Sequence, residues 1–301
     1  MKMVHRRFIG LILLLAIVVV GDRLIAACLR TVAMDGNFRF ARLYNGDLQN
    51  EVLFLGNSRG VNTFYAPSFE NQLGVSCLNL SYNGLSAELC RDLLLDYLEH
   101  NSSPAQVIVE VTTVMDESTT VSNLKPFWHE SRRLEAMASS LDKRDVHAAK
   151  LSHLYGLNCE MHLRMLYYRN GSDQAWINRY TISTDLLEEV SDAPDEQWSQ
   201  PDESQIVALR QIWDACTQRG IQCNFVIGPY LPDYKKLVTN YDRWKTELAD
   251  RLELDTELVD LSDSITDRDM FCDRLHTNHK ASDRICELLV QAGIFGSELQ
   301  E

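Results

Sequence analysis

The residues best suited to chemistry in this sequence are one serine in the first quarter of the chain and an aspartate and a histidine near its end. Ser58 stands in the run LFLGNSRG (53–60), and Asp273 and His276 lie three residues apart. A serine hydroxyl becomes a nucleophile when a neighbouring base takes its proton, and an imidazole serves best as that base when a carboxylate fixes its tautomer. The three side chains therefore predict nucleophilic catalysis, provided that the fold brings them together.

The elements that would position these residues alternate along the chain. Short apolar segments predict β-strands, and amphipathic segments with leucines at helical spacing predict helices. The predicted strands are 51–56, 75–81, 106–112, 221–228 and 256–261, and the predicted helices are 87–100, 204–220, 234–252 and 280–292. Such alternation predicts an α/β fold, a parallel sheet with helices on both faces.

Small, hydroxyl and amide side chains follow the predicted strands. Asn83 and Gly84 come after the second strand, and Thr112 and Thr113 end the third. Because ligands bind beyond the carboxyl ends of parallel strands, we expect these groups near Ser58. A serine in a turn between strand and helix exposes its hydroxyl, and the amides at the start of the helix can stabilise an oxyanion.

Three segments resemble the sequence blocks of the SGNH, or GDSL-type, hydrolase superfamily. They are LFLGNSRG (53–60) for the nucleophile block, LNLSYNG (78–84) for the second block and DRLHTN (273–278) for the closing Asp-x-x-His block. The resemblance covers nearly the whole of the chain after residue 30. It implies a flavodoxin-like sheet, Ser58 as nucleophile, Gly84 as an oxyanion donor through its amide, His276 as base and Asp273 as its orienter.

The third block departs from the pattern of the superfamily. An asparagine usually follows the strand there, whereas VIVEVTTVMD (107–116) offers Thr112 and Thr113. Either a threonine hydroxyl or Asn83 supplies that oxyanion donor, or the oxyanion hole is weakened. Arg59, next to the predicted nucleophile, either contacts an anionic or sugar substrate or lies on the surface of a helix.

The N-terminus is typical of an export or anchoring signal. Residues 1–7 carry three basic side chains, residues 8–21 are an uninterrupted apolar run, and residues 24–29 extend that run. The basic cluster keeps the N-terminus in the cytoplasm, so residues 1–30 are predicted to be a single-pass signal anchor in the cytoplasmic membrane with the rest exported. Two alternatives are a soluble secreted protein and, because Ile25-Ala-Ala-Cys28 resembles a lipobox, a lipoprotein anchored at Cys28.

The exported part, 31–301, is predicted to be one domain with a mainly helical insertion at about 114–203. Within that region, residues 181–204 hold eight acidic and no basic side chains. A segment of this kind is either solvated surface or an insertion that covers the site.

Charge and cysteine content exclude several classes of function. Residues 1–30 hold five of the 29 basic and one of the 43 acidic side chains, which leaves the exported part with a formal charge of −18. Nucleic acids are therefore disfavoured as partners. The eight cysteines include no CxxC spacing, so neither a metal site nor a cofactor is predicted.

The expected function is that of a membrane-anchored, extracytoplasmic serine esterase or O-acyltransferase. The resemblance extends to anchored proteins that add or remove O-acetyl groups on cell-surface polysaccharides, so acyl esters of a glycan are the expected substrates, with polysaccharide-assembly proteins as further partners. One alternative is a catalytically weak or inactive domain that binds a glycan or an assembly partner. A lipase or thioesterase is another, which a wide apolar channel would favour.

Overall fold

The computed structural model describes residues 2–253 and 258–295 of the chain. Its strands are short and lie where apolar runs predicted them: β1 (Val52–Leu55), β2 (Cys77–Asn79), β3 (Gln106–Glu110), β4 (Gln222–Ile227) and β5 (Val259–Asp260). Residues 256 and 257, which the fifth predicted strand also included, fall outside the described residues.

The strands form one parallel sheet in the order β2-β1-β3-β4-β5. This is the flavodoxin-like order, so the predicted α/β fold class is confirmed. The chain leaves β1 toward one edge of the sheet and returns from β2 to β3 on the other side of β1. The order therefore reverses between β1 and β3, and the crevice at their carboxyl ends is where ligands bind in such folds.

The α-helices of the described residues have these bounds in chain order: α1 (Lys2–Met34), α2 (Arg39–Asn45), α3 (Ser58–Thr63), α4 (Ala66–Leu73), α5 (Ala87–His100), α6 (Arg132–Leu141), α7 (Lys143–Leu151), α8 (His153–Gly156), α9 (Glu160–Tyr167), α10 (Thr184–Ser191), α11 (Glu203–Thr217), α12 (Pro232–Leu237), α13 (Tyr241–Leu252) and α14 (Ser282–Gln291). Short 3-10 helices cover Val111–Met115, Ser118–Phe127, Arg268–Met270 and His279–Ala281. The stretch between β3 and β4 is mainly helical, as the sequence predicted.

The chain divides into two compact units. One comprises the residues up to Asn45 together with Val121–Ser172, and the other comprises Gly46–Thr120 together with the residues from Asp173 onward. The second unit contains the sheet. The predicted anchor at residues 1–30 and the predicted limits of the insertion, 114–203, stay predictions.

The sheet of the second unit is covered by two groups of helices. Helices α5, α11 and α13 pack together, and α14 packs with α3 and α4. Because crossovers between parallel strands are right-handed, α4, which precedes β2, and α5, which follows it, lie on opposite faces of the sheet. Phe54 of β1 shows the packing: it is fully buried, and its ring centroid lies 4.8 Å from those of both Phe64 and Phe69.

Two predicted boundaries were wrong for identifiable reasons. The third strand ends at Glu110 rather than Thr112, because the Glu110 carboxylate accepts a hydrogen bond from the Thr112 backbone and turns the chain into a 3-10 helix. The predicted helix 234–252 is two helices. The segment between the two helices forms backbone hydrogen bonds with Glu196. Thr239 N donates to Glu196 O, and Glu196 N donates to Leu237 O.

The first unit is built on α1 and the helices α2 and α6–α9. Aromatic rings form its centre, with Phe127 stacked 5.2 Å from Tyr44 and edge-on to Phe40 at 6.0 Å. Helix α1 is continuous, and its segment His5–Met34 is long enough and apolar enough to cross a membrane.

The core of the sheet makes the first prediction. Phe54→Ala should lower the free energy of unfolding by about 3–5 kcal/mol, because the removed ring leaves a cavity between two other aromatic rings. Urea unfolding of the full chain in detergent, followed by tryptophan fluorescence, measures this loss. The control is Val207→Ala on the exposed face of α11, which should change stability by no more than about 0.5 kcal/mol. Equal effects of the two changes would contradict the assigned core.

Candidate active site

Ser58 lies at the turn between β1 and α3, at the crevice where the strand order reverses. It is the first residue of α3, and its predecessor Asn57 caps the helix by accepting a hydrogen bond from Arg59 N at 2.8 Å. Gly56 and Gly60 make this turn tight. A Cβ atom on Gly60 would come within 2.6 Å of Ser81 Oγ and 3.1 Å of Ser81 Cβ, so a side chain at this position would displace Ser81. Ser58 itself is half-buried between buried neighbours.

Asp273 and His276 lie on a loop that closes on itself. Cys272 N donates to His276 O at 3.0 Å, and Phe271 and Thr277 form an antiparallel bridge. The loop is tied to the serine helix, since Thr277 Oγ1 donates to Asn62 O at 2.9 Å. These bonds fix the direction in which the imidazole points.

The structure brings the three predicted residues together. His276 Nε2 lies 2.8 Å from Ser58 Oγ, and His276 Nδ1 lies 2.8 Å from Asp273 Oδ2. With a proton on Nδ1 directed at the carboxylate, Nε2 is free to accept the serine proton. The chain of hydrogen bonds therefore has the polarity that a nucleophilic serine requires.

Asp273 is held in its ionised form. Burial raises the pKa of this carboxyl group. The hydrogen bond and charge of His276 and the backbone N–H groups of Leu275 and His276 lower the pKa by more than burial raises it, so the net shift is downward. The two N–H groups donate to Asp273 Oδ1 at 2.7 and 2.9 Å. An ionised Asp273 both orients the imidazole and stabilises the imidazolium that forms when the serine gives up its proton.

Arg59 is buried, so the predicted position on a helix surface was wrong, whereas the predicted contact with a substrate stays a prediction. Its side chain is only 5% exposed and forms an ion pair with Glu110, with Nε 3.3 Å from Oε1. The guanidinium also donates to the carbonyl oxygens of Leu275, Gly228 and Pro229. It joins the serine helix to the loop after β4 and to the loop that carries His276.

Glu110 is equally occupied. Its Oε1 also accepts from Gly228 N at 3.2 Å, and its Oε2 accepts from the backbone and hydroxyl of Thr112 at 3.1 and 2.5 Å. The carboxylate is fully buried, which a charge tolerates only when it is paired and hydrogen-bonded. A single acidic residue inside the apolar run VIVEV was the sequence signal for this buried partner, and sequence reasoning missed it.

The predicted oxyanion donors divide into two groups. Gly84 is half-exposed with φ +72°, a conformation that glycine adopts freely, and Asn83 beside it is exposed. Thr112 and Thr113 are buried. The Thr112 hydroxyl is committed to Glu110, and the Thr113 hydroxyl has no hydrogen-bond partner among the described residues and does not reach solvent. The structure therefore places neither threonine hydroxyl where a substrate could use it.

Asp116 is a second carboxylate near the site that the sequence did not single out. It lies six residues after the end of β3, and its Oδ2 accepts from Asn57 Nδ2 at 2.6 Å. Burial raises its pKa and the charge of Glu110 adds to the rise, whereas the Asn57 hydrogen bond and His276 act in the opposite direction. Asn57 thus links the turn of the serine to the segment that follows β3.

The acidic segment lies beside the loop of Asp273 rather than apart from it. Helix α10 and the residues after it face Asp273, Arg274 and Leu275 across a cavity of about 370 Å³. The cavity is lined on the side of the acidic segment by Leu186, Glu189, Val190 and Ala193. Most residues of the segment are exposed, as solvated surface would be, and its role as an insertion that covers the site stays a prediction.

Comparisons with known proteins do not show a family for this chain. No model of a known protein family matches the sequence, and no curated protein does. Among solved structures, the chain is similar to one described as "a putative platelet activating factor from Streptococcus pneumonia", with 12% sequence identity and a TM-score of 0.43. The similarity covers 94% of this chain and 98% of that one.

The buried ion pair gives a prediction about stability. Glu110→Ala should lower the free energy of unfolding by about 3–5 kcal/mol, because the Arg59 guanidinium would remain buried without its counter-charge. The control is Glu247→Ala, which breaks an exposed pair between Arg243 and Glu247 on α13 and should cost no more than about 0.5 kcal/mol. Urea unfolding of both variants measures the difference. A loss below about 1 kcal/mol for Glu110→Ala would show that the pair is not the constraint we describe.

Asp116 gives a prediction about pH. Because its pKa is raised in the folded protein, the ionised carboxylate destabilises the fold at neutral pH, and this cost disappears as the pH falls below the unfolded value of about 3.9. Asp116→Asn keeps an oxygen that can accept from Asn57 and removes the charge, so it should raise the free energy of unfolding at neutral pH and have less effect near pH ~4.

Urea unfolding at the two pH values tests this, with Asp250→Asn on the exposed face of α13 as the control. The control should shift stability by no more than about 0.5 kcal/mol at neutral pH. A destabilised Asp116→Asn variant at neutral pH would contradict the prediction.

Proposed function

We propose that the protein is a membrane-anchored, extracytoplasmic serine esterase or O-acyltransferase that acts on acyl esters of a cell-surface glycan, with acetyl as the preferred acyl group. The observation that carries the proposal is the hydrogen-bonded series from Ser58 through His276 to Asp273, with separations of 2.8 Å at each step. Separations of this size are those of a nucleophile, its base and the base's orienter.

In the proposed reaction, Ser58 Oγ attacks the acyl carbonyl carbon while its proton passes to His276 Nε2. The same proton then goes to the departing sugar oxygen, which leaves an acyl-serine. Water attacking that intermediate gives hydrolysis, and a second sugar hydroxyl gives transfer. Either nucleophile loses its proton to His276 Nε2, which passes it to Ser58 Oγ as the bond between that oxygen and the acyl carbon breaks.

The oxyanion that develops on the carbonyl oxygen needs hydrogen-bond donors. The backbone N–H groups of Ser58, in the first turn of α3, and Gly84 are the donors we assign, since N–H groups in a first helical turn have no carbonyl partner within the helix. Asn83 is the remaining exposed side chain that could add a third. The two threonines are withdrawn from this role because their hydroxyls are buried.

A neutral ester suits the charges around the site. Asp116 and Glu189 lie near the residues that would hold the substrate, and Arg59 is neutralised by Glu110. An anionic substrate would meet uncompensated negative charge there, whereas an acetylated neutral sugar would not.

Anchoring by an uncleaved α1 is the localisation we propose, with the domain outside the cytoplasmic membrane. Asp22 supports it over cleavage before Cys28. Its carboxylate accepts from Ser152 Oγ at 2.6 Å and from His153 N at 2.8 Å, so part of the first unit is built around a residue that cleavage would remove.

A second candidate is a domain of the same fold that binds a glycan or an assembly partner with little or no catalysis. Two observations favour it: the third oxyanion donor is missing from the segment after β3, and the carboxylate of Asp116 lies nearby. Losing one such donor typically lowers the rate by about 10²- to 10³-fold.

Labelling by a fluorophosphonate probe separates the two candidates, because the probe reacts only with an activated serine. We expect the full chain in detergent to be labelled and Ser58→Ala to lose the label together with roughly 10⁴-fold or more of its turnover of an acetyl ester. The matched control is Ser140→Ala, an exposed serine on α6 that should keep both.

Unfolding curves of the same preparations complete the test. Ser58→Ala should unfold at the same urea concentration as the unchanged chain, since its small polar side chain fills little core volume. A labelled Ser58→Ala variant would show that another residue is the nucleophile. An unlabelled but folded parent chain would favour the binding domain.

A further inference from the structure

The membrane-crossing part of α1 is short if it ends at the first charged residues. Residues 8–21 are 14 in number and extend about 21 Å at the helical rise per residue, whereas the hydrocarbon core of a bilayer is about 30 Å thick. Asp22 and Arg23 follow immediately. The apolar run by itself therefore falls well short of a full span.

One face of α1 stays apolar beyond these charges. Leu24 and Ile25 are 63% and 54% exposed, and Cys28 is exposed as well, whereas Ala26 and Ala33 are buried within the first unit. From Phe8 to Cys28 the helix extends about 31 Å, which matches the hydrocarbon thickness. The exposed face thus continues the apolar surface of the span for almost two further turns.

The charges on the opposite face are satisfied by a single segment of the same unit. Asp22 accepts from Ser152 Oγ, His153 N and Leu154 N at 2.6, 2.8 and 3.2 Å. Arg23 donates to Leu151 O at 3.4 Å and lies 3.5 Å from Asp22. In hydrocarbon, polar groups must find such partners within the protein, because no water is available to them.

The segment that supplies these partners is the corner between α7 and α8, residues 151–154. Leu151, at the end of α7, is 80% exposed although it lies beside Arg23. Moving a leucine side chain from water into an apolar medium is favourable, and a leucine at this level of α1 is where a bilayer would cover it.

We propose that the corner 151–154 is seated in the leaflet on the side of the exported domain, where it pairs Asp22 and Arg23 and lets α1 span the hydrocarbon from Phe8 to about Cys28. The proposal rests on the proposed anchoring of α1. The partner is the acyl-chain region of the lipid, and the surface that meets it consists of Leu24, Ile25, Cys28 and Leu151.

Photo-crosslinking to lipid tests the proposal on the full chain reconstituted in vesicles of phosphatidylethanolamine and phosphatidylglycerol. The crosslinking residue p-benzoylphenylalanine replaces Ile17, Leu151 or Tyr167 in separate variants. Tyr167 is the matched control, since it is 81% exposed in the same unit. It lies two residues before Arg169, whose carbonyl oxygen accepts a hydrogen bond from Asn37 N just beyond the C-terminal end of α1. Arg23 and Met34 are about 16 Å apart along the helix axis.

We expect lipid adducts at positions 17 and 151 in similar yield and none at 167. Adducts at 17 but not at 151 would overturn the seated corner and leave the anchor standing. No adduct at 17 would overturn the anchor itself, and with it the localisation that we propose. Adducts at all three positions would mean that the first unit lies on the membrane without a defined depth, which also overturns the proposal.

Discussion

The site depends on a buried ion pair between Arg59 and Glu110. Removing two charges from water is costly, and hydrogen bonds offset that cost here: the carboxylate accepts four, and the guanidinium, besides its bond to Glu110, reaches three backbone carbonyls. Those carbonyls belong to the loops that follow β4 and precede His276. Because a guanidinium is planar and its donors point in fixed directions, it can keep several loops at fixed distances from the serine helix.

Close backbone contact is the second constraint on the same region. A Cβ atom on Gly228 would come within 2.5 Å of Thr63 Oγ1, and one on Gly56 would come within 2.8 Å of Gly60 Cα. The turn of Ser58 therefore lies so close to the strand ends that a side chain at Gly56 or Gly228 would force neighbouring atoms to move. Rigid surroundings of this kind are what keep a serine and an imidazole at hydrogen-bonding distance while the hydroxyl remains accessible.

Two carboxylates near His276 have opposite environments. Asp273 receives hydrogen bonds from two backbone N–H groups and from the imidazole, and its pKa is lowered, whereas burial and the charge of Glu110 raise the pKa of Asp116. Pairs of acidic groups separated in this way commonly divide tasks between an ionised orienter and a group that can carry a proton. Asp273 fits the first task by contact and by charge. Asp116 touches Asn57, which begins the turn of the nucleophile, so it acts on the site through the position of that turn.

The sequence by itself determined the α/β class, the places of the strands and the three residues that meet at the sheet's edge, because apolar periodicity and the residues after each strand are local properties. The position of Arg59 was decided only by the tertiary structure: nothing near it in sequence shows that Glu110, 51 residues away, neutralises it. The end of β3 was misplaced for the same reason, since the Glu110 carboxylate bonds to the backbone and hydroxyl of Thr112 and ends the strand early. Burial and charge pairing join residues that are distant in sequence, and a local pattern such as VIVEV indicates a buried charge but not the residue that neutralises it.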